Sequence, residues 1–344
     1  MRARRVRLLV DSSGLGGIER HVAVLARALR QRGIDARVWL YADHGANLWL
    51  EQLAAAEVPV EINRGGARGL LRALRAEPGV LLHTHGYKAG VIGRLAARLA
   101  GAPVISTFHA GETGAFPVNL YQAADEWSAC LAPRISVSAK IAERLPFASR
   151  VVANFIETPE MAPSGPLPDV VGFVGRLSME KGPDLFCQAA AQSPNGLSWR
   201  LYGDGPLRAG LERDHLADVE FKGMVADMDR IWPEIGLLVM PSRAEGLPMA
   251  ALEALAAGIP VAAARVGALP ELIRPGENGW LFEPGDTGAL TKIIGEWARS
   301  RAEKGAAWRQ AAWASVRENY GVAKGVDEIL ECYAQAEVSS RRAR

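Results

Sequence analysis

Two basic side chains follow an apolar segment in the second half of this 344-residue chain. Arg176 and Lys181 lie five residues apart in a short loop after the apolar run 170–174. A guanidinium offers a planar pair of donors and an ammonium a compact charge, so both side chains can converge on one diphosphate. The P-loop pattern of nucleoside triphosphatases does not occur in this segment. The spacing therefore predicts a diphosphate site of another kind.

Two carboxylates follow in the same half. Glu245 precedes a predicted helix, and Glu253 lies about two turns inside it, within ~10 Å of the helix start. Gly246, Leu247 and Pro248 lie between them, where a helix N-terminus presents amides to phosphate or sugar oxygens. Two glutamates at this spacing are usually surface charges. In this strand–turn–helix context we interpret one as a ligand for a hexose and the other as a ligand for a ribose.

Glycine-containing turns at predicted strand ends offer backbone contacts. Gly16 and Gly17 precede the first predicted helix, where amides can hold a phosphate, although a simple turn explains them equally well. Glu19 occupies the place of the third glycine in the dinucleotide fingerprint, so a dehydrogenase is disfavoured. Gly203 follows another predicted strand and permits the close approach of a base or ribose.

Met224 and Val225 follow the end of a further predicted strand, and we assign them to the same donor site. Asp227 and Asp229 come next and match a D-x-D pattern that binds divalent cations in other folds. Because they follow a turn and open a predicted helix, we interpret Asp227 as the N-cap of that helix. The sequence therefore predicts no metal site here.

Histidines follow two predicted strands in the first half. His83 and His85 form an H-x-H pattern, and His109 follows the apolar run 104–108. An isolated histidine is most often structural, and no carboxylate or cysteine cluster beside H-x-H supports a metal. His109 is the strongest functional candidate, because a residue at a strand end is expected to face a ligand cleft.

Apolar β-type runs alternate with helical patterns along the whole chain. This alternation predicts an α/β fold of two doubly wound Rossmann-like domains that face a central cleft. Four prolines in 159–169 indicate a linker between N-terminal domain 1–158 and C-terminal domain 170–322, with a helix and basic tail at 323–344. The predicted strands are 6–10, 36–41, 58–62, 80–85, 104–108 and 135–138 in the first half, and 170–174, 199–202, 219–221, 237–240, 261–264 and 280–282 in the second.

Composition is that of a soluble globular protein, with 49% hydrophobic and 23% charged residues. No apolar run reaches the length of a membrane span. Three widely spaced cysteines suggest neither a disulfide framework nor a zinc site, and favour a reducing cytosol. The net charge of +2 is unevenly divided, since residues 1–158 hold 20 Lys and Arg against 13 Asp and Glu. That basic half fits an anionic partner or a solvated basic surface equally well.

Taken in order, these segments resemble the group 1 glycosyltransferases, the retaining family 4 enzymes of GT-B architecture. The resemblance covers nearly the whole chain, and it departs at 153–155, where the family commonly has P-N-G, and at Leu247, where phenylalanine is frequent. The matching motifs are G-G-x-E-R at 16–20, H-x-H-G at 83–86, the strand-end histidine at 109, G-R-L and E-K-G within 175–182, E-x7-E at 245–253, and the glycines of 258–279.

The resemblance implies a role for each candidate residue. Arg176 and Lys181 would neutralise the donor diphosphate, and Glu253 would bind the nucleotide ribose. Glu245 and the amides after it would hold the transferred sugar, while His109 would line the reaction centre. Gly16 or Gly17 would approach the β-phosphate from the N-terminal domain, which binds the acceptor in this architecture.

The implied reaction moves a sugar from a nucleoside diphosphate sugar to a hydroxyl with retention of anomeric configuration. Two cations and helix amides would stabilise the leaving diphosphate, so we predict neither a metal nor another cofactor. No nucleophile is evident, so we prefer a same-face attack to a double displacement. Two alternatives stay open: a sugar-nucleotide 2-epimerase of the same architecture, and a nucleotide-sugar-binding protein without transfer activity.

The sequence identifies neither the acceptor nor the donor nucleotide, which is UDP or GDP. We expect an acidic or lipid-linked hydroxyl acceptor of cell-envelope polysaccharide, lipopolysaccharide or glycolipid synthesis, and no nucleic acid partner. A cytoplasmic location is expected, with peripheral contact to an anionic membrane surface as a further hypothesis. The basic residues named for that contact are Arg5, Arg7, Arg64, Arg68 and Arg72.

Overall fold

The computed structural model describes residues 5–109, 118–193 and 196–342. The chain forms two compact units. The first contains Met1–Phe155 and Val322–Arg344, and the second contains Ile156–Gly321.

Seven strands form the sheet of the first unit among its described residues. They are β1 (Arg5–Val10), β2 (Asp35–Leu40), β3 (Val60–Ile62), β4 (Leu81–His85), β5 (Val104–Phe108), β6 (Arg134–Ser136) and β7 (Arg150–Val151). All neighbours are parallel, in the order β3-β2-β1-β4-β5-β6-β7. The order reverses between β1 and β4, so the carboxyl ends of these two strands flank a switch point, where doubly wound sheets bind ligands.

The helices of the first unit connect successive strands. They are α1 (Gly17–Gln31), α2 (Leu48–Ala55), α3 (Gly66–Ala76), α4 (Tyr87–Ala100), α5 (Val118–Ser128) and α6 (Ala139–Arg144). In α1, Val22, Leu25, Ala26 and Leu29 are buried against the sheet, as their helical spacing predicts.

The second unit repeats this plan with a six-stranded sheet. Its strands are β8 (Val170–Val174), β9 (Ser198–Tyr202), β10 (Glu220–Gly223), β11 (Leu237–Met240), β12 (Val261–Ala264) and β13 (Gly279–Phe282). They are parallel and lie in the order β10-β9-β8-β11-β12-β13, with the switch point between β8 and β11. The helices of this unit are α7 (Pro183–Gln192), α8 (Arg208–His215), α9 (Met249–Ala256), α10 (Leu269–Leu272) and α11 (Thr287–Asn319). The predicted α/β fold class of two doubly wound parallel sheets is confirmed.

The C-terminal segment returns to the first unit as helix α12 (Val322–Arg342). Its apolar face enters the core of that unit, so the segment 323–344 is part of the first unit rather than a separate tail. The proposed linker 159–169 lies in the second unit, where Trp313 and Arg309 of α11 donate hydrogen bonds to the carbonyls of Pro159 and Pro166. The buried residues of α12 are Val326, Ile329, Cys332, Tyr333 and Ala336.

Two interpretations of charged residues were wrong, the second only in part. Arg7 is not available to a membrane, because it is only 2% exposed and its guanidinium pairs with Asp35 and Glu77. Asp227 does occupy an N-cap position, but that of a short 3-10 turn (Met228–Arg230) rather than of an α-helix, and its side chain makes no cap hydrogen bond. Its carboxylate instead pairs with Arg230, 3.0 Å away.

No helix among the described residues is both long enough and apolar enough to cross a membrane.

Candidate functional site

The predicted diphosphate site lies at the switch point of the second unit. Arg176 and Lys181 are on the loop after β8, and Glu245 is on the loop after the neighbouring strand β11. The two loops therefore start side by side at the carboxyl edge of the sheet. Residues 64 positions apart in sequence meet here because β8 and β11 pair directly.

Lys181 and Glu245 form an ion pair, with 2.7 Å between Nζ and Oε2. The Glu245 side chain is 3% exposed and that of Lys181 is 27% exposed. Ser242 donates a hydrogen bond of 2.8 Å to the other carboxylate oxygen, Oε1. Both oxygens of Glu245 are thus engaged, and the carboxylate is fixed at the base of the site while the ammonium reaches toward solvent.

Further contacts hold the two loops together. The Arg243 amide donates to the Glu180 carbonyl at 2.8 Å, and the Arg243 guanidinium binds both carboxylate oxygens of Asp184 at 2.9 and 2.6 Å. Burial raises the pKa of Asp184, but the hydrogen bond and charge of Arg243 outweigh it, so the net pKa lies below its usual value. Gly182 has a φ of +68°, and a Cβ there would lie 2.2 Å from the Pro241 carbonyl oxygen. The backbone around Lys181 is therefore fixed.

Ser242 and Arg243 were missed by sequence reasoning. Both lie between β11 and Glu245, inside the segment already singled out, and that position is the only signal in the sequence. Their importance depends on contacts with the loop after β8, which the sequence alone does not show.

Arg176 has an exposed side chain that makes no hydrogen bond or ion pair with the described part of the chain. Burial raises the pKa of Glu180, but hydrogen bonds from Ser178 and from its own amide, together with the charges of Lys181 and Arg176, outweigh it and leave the pKa below its usual value. The guanidinium is therefore open to an anionic ligand on the same loop as Lys181.

Helix α9 begins directly after the Glu245 loop. Pro248 is its N-cap and supplies no side-chain cap, so the first-turn amides are open to an acceptor atom. Gly267, with a φ of +57°, lies under this loop, since a Cβ there would lie 2.4 Å from the Glu245 carbonyl oxygen. Gly246 and Leu247 are buried, and Glu253 is buried inside the helix at 8% exposure.

Gly203 and Met224–Val225 lie at the carboxyl ends of β9 and β10, along the same edge of the sheet. Gly203 has a φ of +143°, and a Cβ there would lie 1.9 Å from the carbonyl oxygen of Gly175. The close approach that we assigned to a base or ribose is made in this structure by the adjacent loop. Met224 is 43% exposed and Val225 is half-buried. Base contacts for these three residues remain a prediction.

In the first unit, the glycine-rich turn begins helix α1. Gly16 is the N-cap and Gly17 is the first helical residue. Burial raises the pKa of Glu19, which is only partly offset by hydrogen bonds from Ser12 and from the amides of Gly16 and Glu19. This resembles a capping box, in which the third helical residue binds the N-cap amide. A phosphate contact from Gly16 would therefore have to displace the Glu19 carboxylate.

Four histidines meet at the switch point of the first unit. His85 Nδ1 lies 3.0 Å from His109 Nε2, and the ring of His21 lies 4.9 Å from that of His109. His83 lies behind them and bonds Thr107 and Tyr333, so its role is structural. His21 was missed by sequence reasoning, although it falls on the buried face of α1, where a histidine is unexpected.

Burial keeps these rings neutral. It lowers the pKa of His21 to about 4, and burial with the charge of His21 lowers that of His83 to about 3. Burial also lowers the pKa values of His85 and His109 well below the ordinary range, and the charges of the neighbouring imidazoles add a smaller effect in the same direction. At neutral pH the cluster therefore offers lone pairs and N–H donors but no charge.

Two doubly wound units, with cations and a fixed carboxylate at the switch point of the second, define a glycosyltransferase of the GT-B class. The comparisons with known families agree with this assignment. Residues 168–300 match the family described as Glycosyl transferases group 1, and residues 15–158 match Glycosyltransferase Family 4. The chain belongs to this family of glycosyltransferases, which confirms the predicted family and enzyme class.

Individual relatives span most of the chain. A D-inositol 3-phosphate glycosyltransferase of Rhodococcus opacus is 27% identical, covering 94% of this chain and 86% of that protein. A UDP-Gal:alpha-D-GlcNAc-diphosphoundecaprenol alpha-1,3-galactosyltransferase of Escherichia coli is 25% identical, covering 77% of both proteins. The crystal structure of Anabaena Alr3699/HepE in complex with UDP-glucose superposes with a TM-score of 0.81 at 23% identity, covering 96% of this chain and 99% of that one. This last likeness supports the fold.

Proposed function

We propose that the protein transfers a sugar from a nucleoside diphosphate sugar to a hydroxyl acceptor, with retention and without a metal. The observation that carries this proposal is the Lys181–Glu245 ion pair beside the exposed Arg176 at one switch point. It offers two cations to a diphosphate and a fixed carboxylate to the sugar hydroxyls next to it.

The leaving group sets the main electrostatic demand. As the glycosidic bond breaks, negative charge grows on the diphosphate, and Arg176, Lys181 and the open amides of α9 stabilise it in place of a metal ion. A charge-assisted hydrogen bond contributes about 1.5–3 kcal/mol, so each cation is expected to contribute at least about tenfold in rate.

The state of Glu245 bears on the route by which configuration would be retained. A double displacement needs a carboxylate free to attack the anomeric carbon. Both oxygens of Glu245 are already engaged, by Lys181 and by Ser242, so this carboxylate is suited to binding hydroxyls. We therefore assign a same-face attack, in which the acceptor oxygen bonds to the anomeric carbon as the phosphate oxygen leaves and takes the acceptor proton.

A panel of UDP and GDP sugars tests the donor proposal, scored first by thermal shift and then by nucleotide release. We expect UDP sugars to bind, because the E. coli relative is a UDP-Gal galactosyltransferase. A donor at 100 times its Kd should stabilise the second unit by about 2.7 kcal/mol. Full activity in EDTA and a product with the donor's anomeric configuration by NMR are the expected results. Loss of activity in EDTA would overturn the metal-free scheme, and conversion of the donor sugar without an acceptor would point to the epimerase.

The acceptor proposal rests on the first unit. We propose an acidic acceptor, because both relatives are named for a phosphorylated compound. It is inositol 3-phosphate in one and a diphosphoundecaprenol in the other. A groove of about 390 Å³ lies beside α3 and the end of β3 and includes Arg64 and Arg72 in its lining. These two cations fit a phosphate, and the reversal variants Arg64→Glu and Arg72→Glu should raise the acceptor KM with little change in the donor KM.

Peripheral membrane contact is a second element of this proposal. Outside that groove, α3 exposes Arg68 and Arg75, and the adjacent helix α4 exposes Leu95 and Leu99 at 48% and 68%. Basic and apolar side chains together suit an anionic lipid surface. Binding to phosphatidylglycerol vesicles should fall with added salt and in an Arg68→Glu/Arg75→Glu variant. Vesicle binding that does not change with salt concentration, or equal binding to neutral vesicles, would contradict the proposed membrane contact.

A further inference from the structure

The histidine cluster of the first unit contains ring nitrogens without hydrogen-bond partners. Both nitrogens of His21 and Nε2 of His85 are buried and unpartnered among the described residues. Each neutral imidazole carries one N–H and one lone pair. The cluster therefore holds at least one buried lone pair that no donor in the described chain satisfies, and burying such groups is costly.

Three of these rings are arranged as ligands. One ring nitrogen from each of His21, His85 and His109 lies within 4.8 Å of one from each of the others. The His85 Nδ1–His109 Nε2 distance is 3.0 Å, close to the ~3.3 Å between two nitrogens on one tetrahedral zinc ion. The longest separation must shrink by about 1.5 Å, which rotation of the His21 side chain on α1 can supply.

We propose that His21, His85 and His109 form a binding site for a divalent transition-metal ion, with zinc as the first candidate. Three neutral imidazoles suit Zn²⁺, Co²⁺, Ni²⁺ or Cu²⁺ and are poor ligands for Mg²⁺ or Ca²⁺. His21 and His85 are almost fully buried, whereas His109 is partly exposed. The fourth coordination position is therefore on the His109 side, where a water or an added anion can enter.

The surroundings of the site support ligand geometry. His83 packs on His85 with 4.1 Å between ring centroids, and its own nitrogens are held by Thr107 and Tyr333. Phe155 packs against His21 at 5.3 Å. The packing of His83 limits rotation of the His85 ring, as outer partners do around known metal ligands, whereas His21 has no hydrogen bond within the described chain that fixes its ring and is the ligand that turns.

Of the three ligands, only His109 also has a place in the proposed transfer chemistry. The site lies in the first unit, whereas the diphosphate residues belong to the second. Binding would occupy His109 Nε2 or Nδ1, and so we expect the metal to inhibit transfer and EDTA to relieve that inhibition. This consequence rests on the proposed function, because it uses the predicted place of His109 at the reaction centre.

Cobalt reports directly on such a site. The full chain carrying Cys130→Ser, which removes an exposed thiol that could itself bind metal, is treated with EDTA, desalted and titrated with Co²⁺. We expect the intense visible absorption of tetrahedral Co²⁺ at one equivalent, displaced by Zn²⁺. His21→Gln and His109→Asn should each weaken Co²⁺ binding at least about tenfold. The control His215→Gln, a histidine of α8 in the second unit, should leave it unchanged.

Weak absorption only, or equal Co²⁺ affinity in the background, His21→Gln and His109→Asn proteins, would overturn the proposal. Unchanged thermal unfolding of His109→Asn shows that a loss of binding is not a loss of fold. The His21→Gln variant keeps His109, so it should stay active in Zn²⁺ concentrations that inhibit the background protein. Tight Co²⁺ binding together with full activity of the zinc-loaded protein would support the metal site. It would contradict only the predicted position of His109 at the reaction centre.

Discussion

The Lys181 ammonium lies 2.7 Å from Glu245 Oε2, which ties the loop after β8 to the loop after β11. Sequence reasoning assigned the two side chains to different parts of the donor, one to the diphosphate and the other to the sugar. Their contact means that a diphosphate must share Lys181 with Glu245. The carboxylate thereby holds the ammonium in position before the donor arrives.

Replacing Lys181 should lower both stability and activity. In Lys181→Met the buried Glu245 carboxylate loses its counter-ion, so we expect the free energy of unfolding to fall by about 1–3 kcal/mol. The transfer rate should fall at least about tenfold, because a cation at the leaving group is lost. Urea unfolding and nucleotide release measure the two effects.

The double variant Lys181→Met/Glu245→Gln separates the two effects. Glutamine keeps the shape of Glu245 without its charge, so most of the lost stability should return while activity stays low. A double variant no more stable than Lys181→Met alone would show that the ion pair does not govern the stability of these loops.

Arg176 should behave differently, because its side chain is exposed and binds no carboxylate in the described chain. Arg176→Ala is expected to lose about 10- to 100-fold in kcat/KM with little change in unfolding free energy. Arg176→Lys should recover part of the loss, since a point charge replaces a planar donor pair. Arg213→Ala removes an exposed arginine of α8 as a control and should have no effect. A destabilised Arg176→Ala would indicate a structural role instead.

The fold class and all strands but one were predictable, because most of these parallel strands are buried and form continuous apolar runs. The two-residue edge strand β7 (Arg150–Val151) was missed, because it is too short and too exposed to give such a run. The site was predictable only in part. Arg176, Lys181 and Glu245 follow such runs, but the contacts of Ser242 and Arg243 depend on which strands are neighbours in the sheet. That order is a tertiary property that local patterns do not encode.

The place of α12 illustrates the same limit. Its apolar face is visible in the sequence, but an amphipathic pattern does not specify which of the two sheets the helix packs against. Its burial in the first unit depends on Phe155 and on the core residues around Val326 and Tyr333. His21 was overlooked for a related reason, since a polar residue on an apolar helix face is read as part of the core.

A glycine in α12 gives a prediction that reverses the usual trend. Glycine to alanine inside a helix normally stabilises by about 0.5–1 kcal/mol. A Cβ on Gly325, however, would lie 2.0 Å from Cδ1 of the buried Phe155 ring. We expect Gly325→Ala to destabilise the protein by about 1–3 kcal/mol through overpacking.

Gly210 of α8 is the matched control, because a Cβ there would meet only the end of the Arg213 side chain, at 3.8 Å. Gly210→Ala should therefore raise the melting temperature while Gly325→Ala lowers it. Equal changes in the two variants would show that α12 does not pack on Phe155 as described.

The Arg243–Asp184 pair gives a stability difference that depends on pH. The net effect of Arg243 and burial leaves the pKa of Asp184 below 3.8, its value in an unfolded chain. A carboxyl group with a lowered folded pKa contributes stability above the unfolded pKa and loses it as the pH falls through the folded value.

Arg243→Gln should thus cost about 1 kcal/mol at pH 7, a modest figure because both side chains are partly exposed. The difference from the wild-type protein should shrink below about pH 4. Urea unfolding of both proteins at several pH values measures it, with Arg213→Gln as a control that shows no such trend. Because the same pair fixes the loop that carries Lys181, Arg243→Gln should also raise the donor KM at pH 7. A difference in stability that stays constant down to pH 3 would show that Asp184 does not depend on Arg243 for its charge.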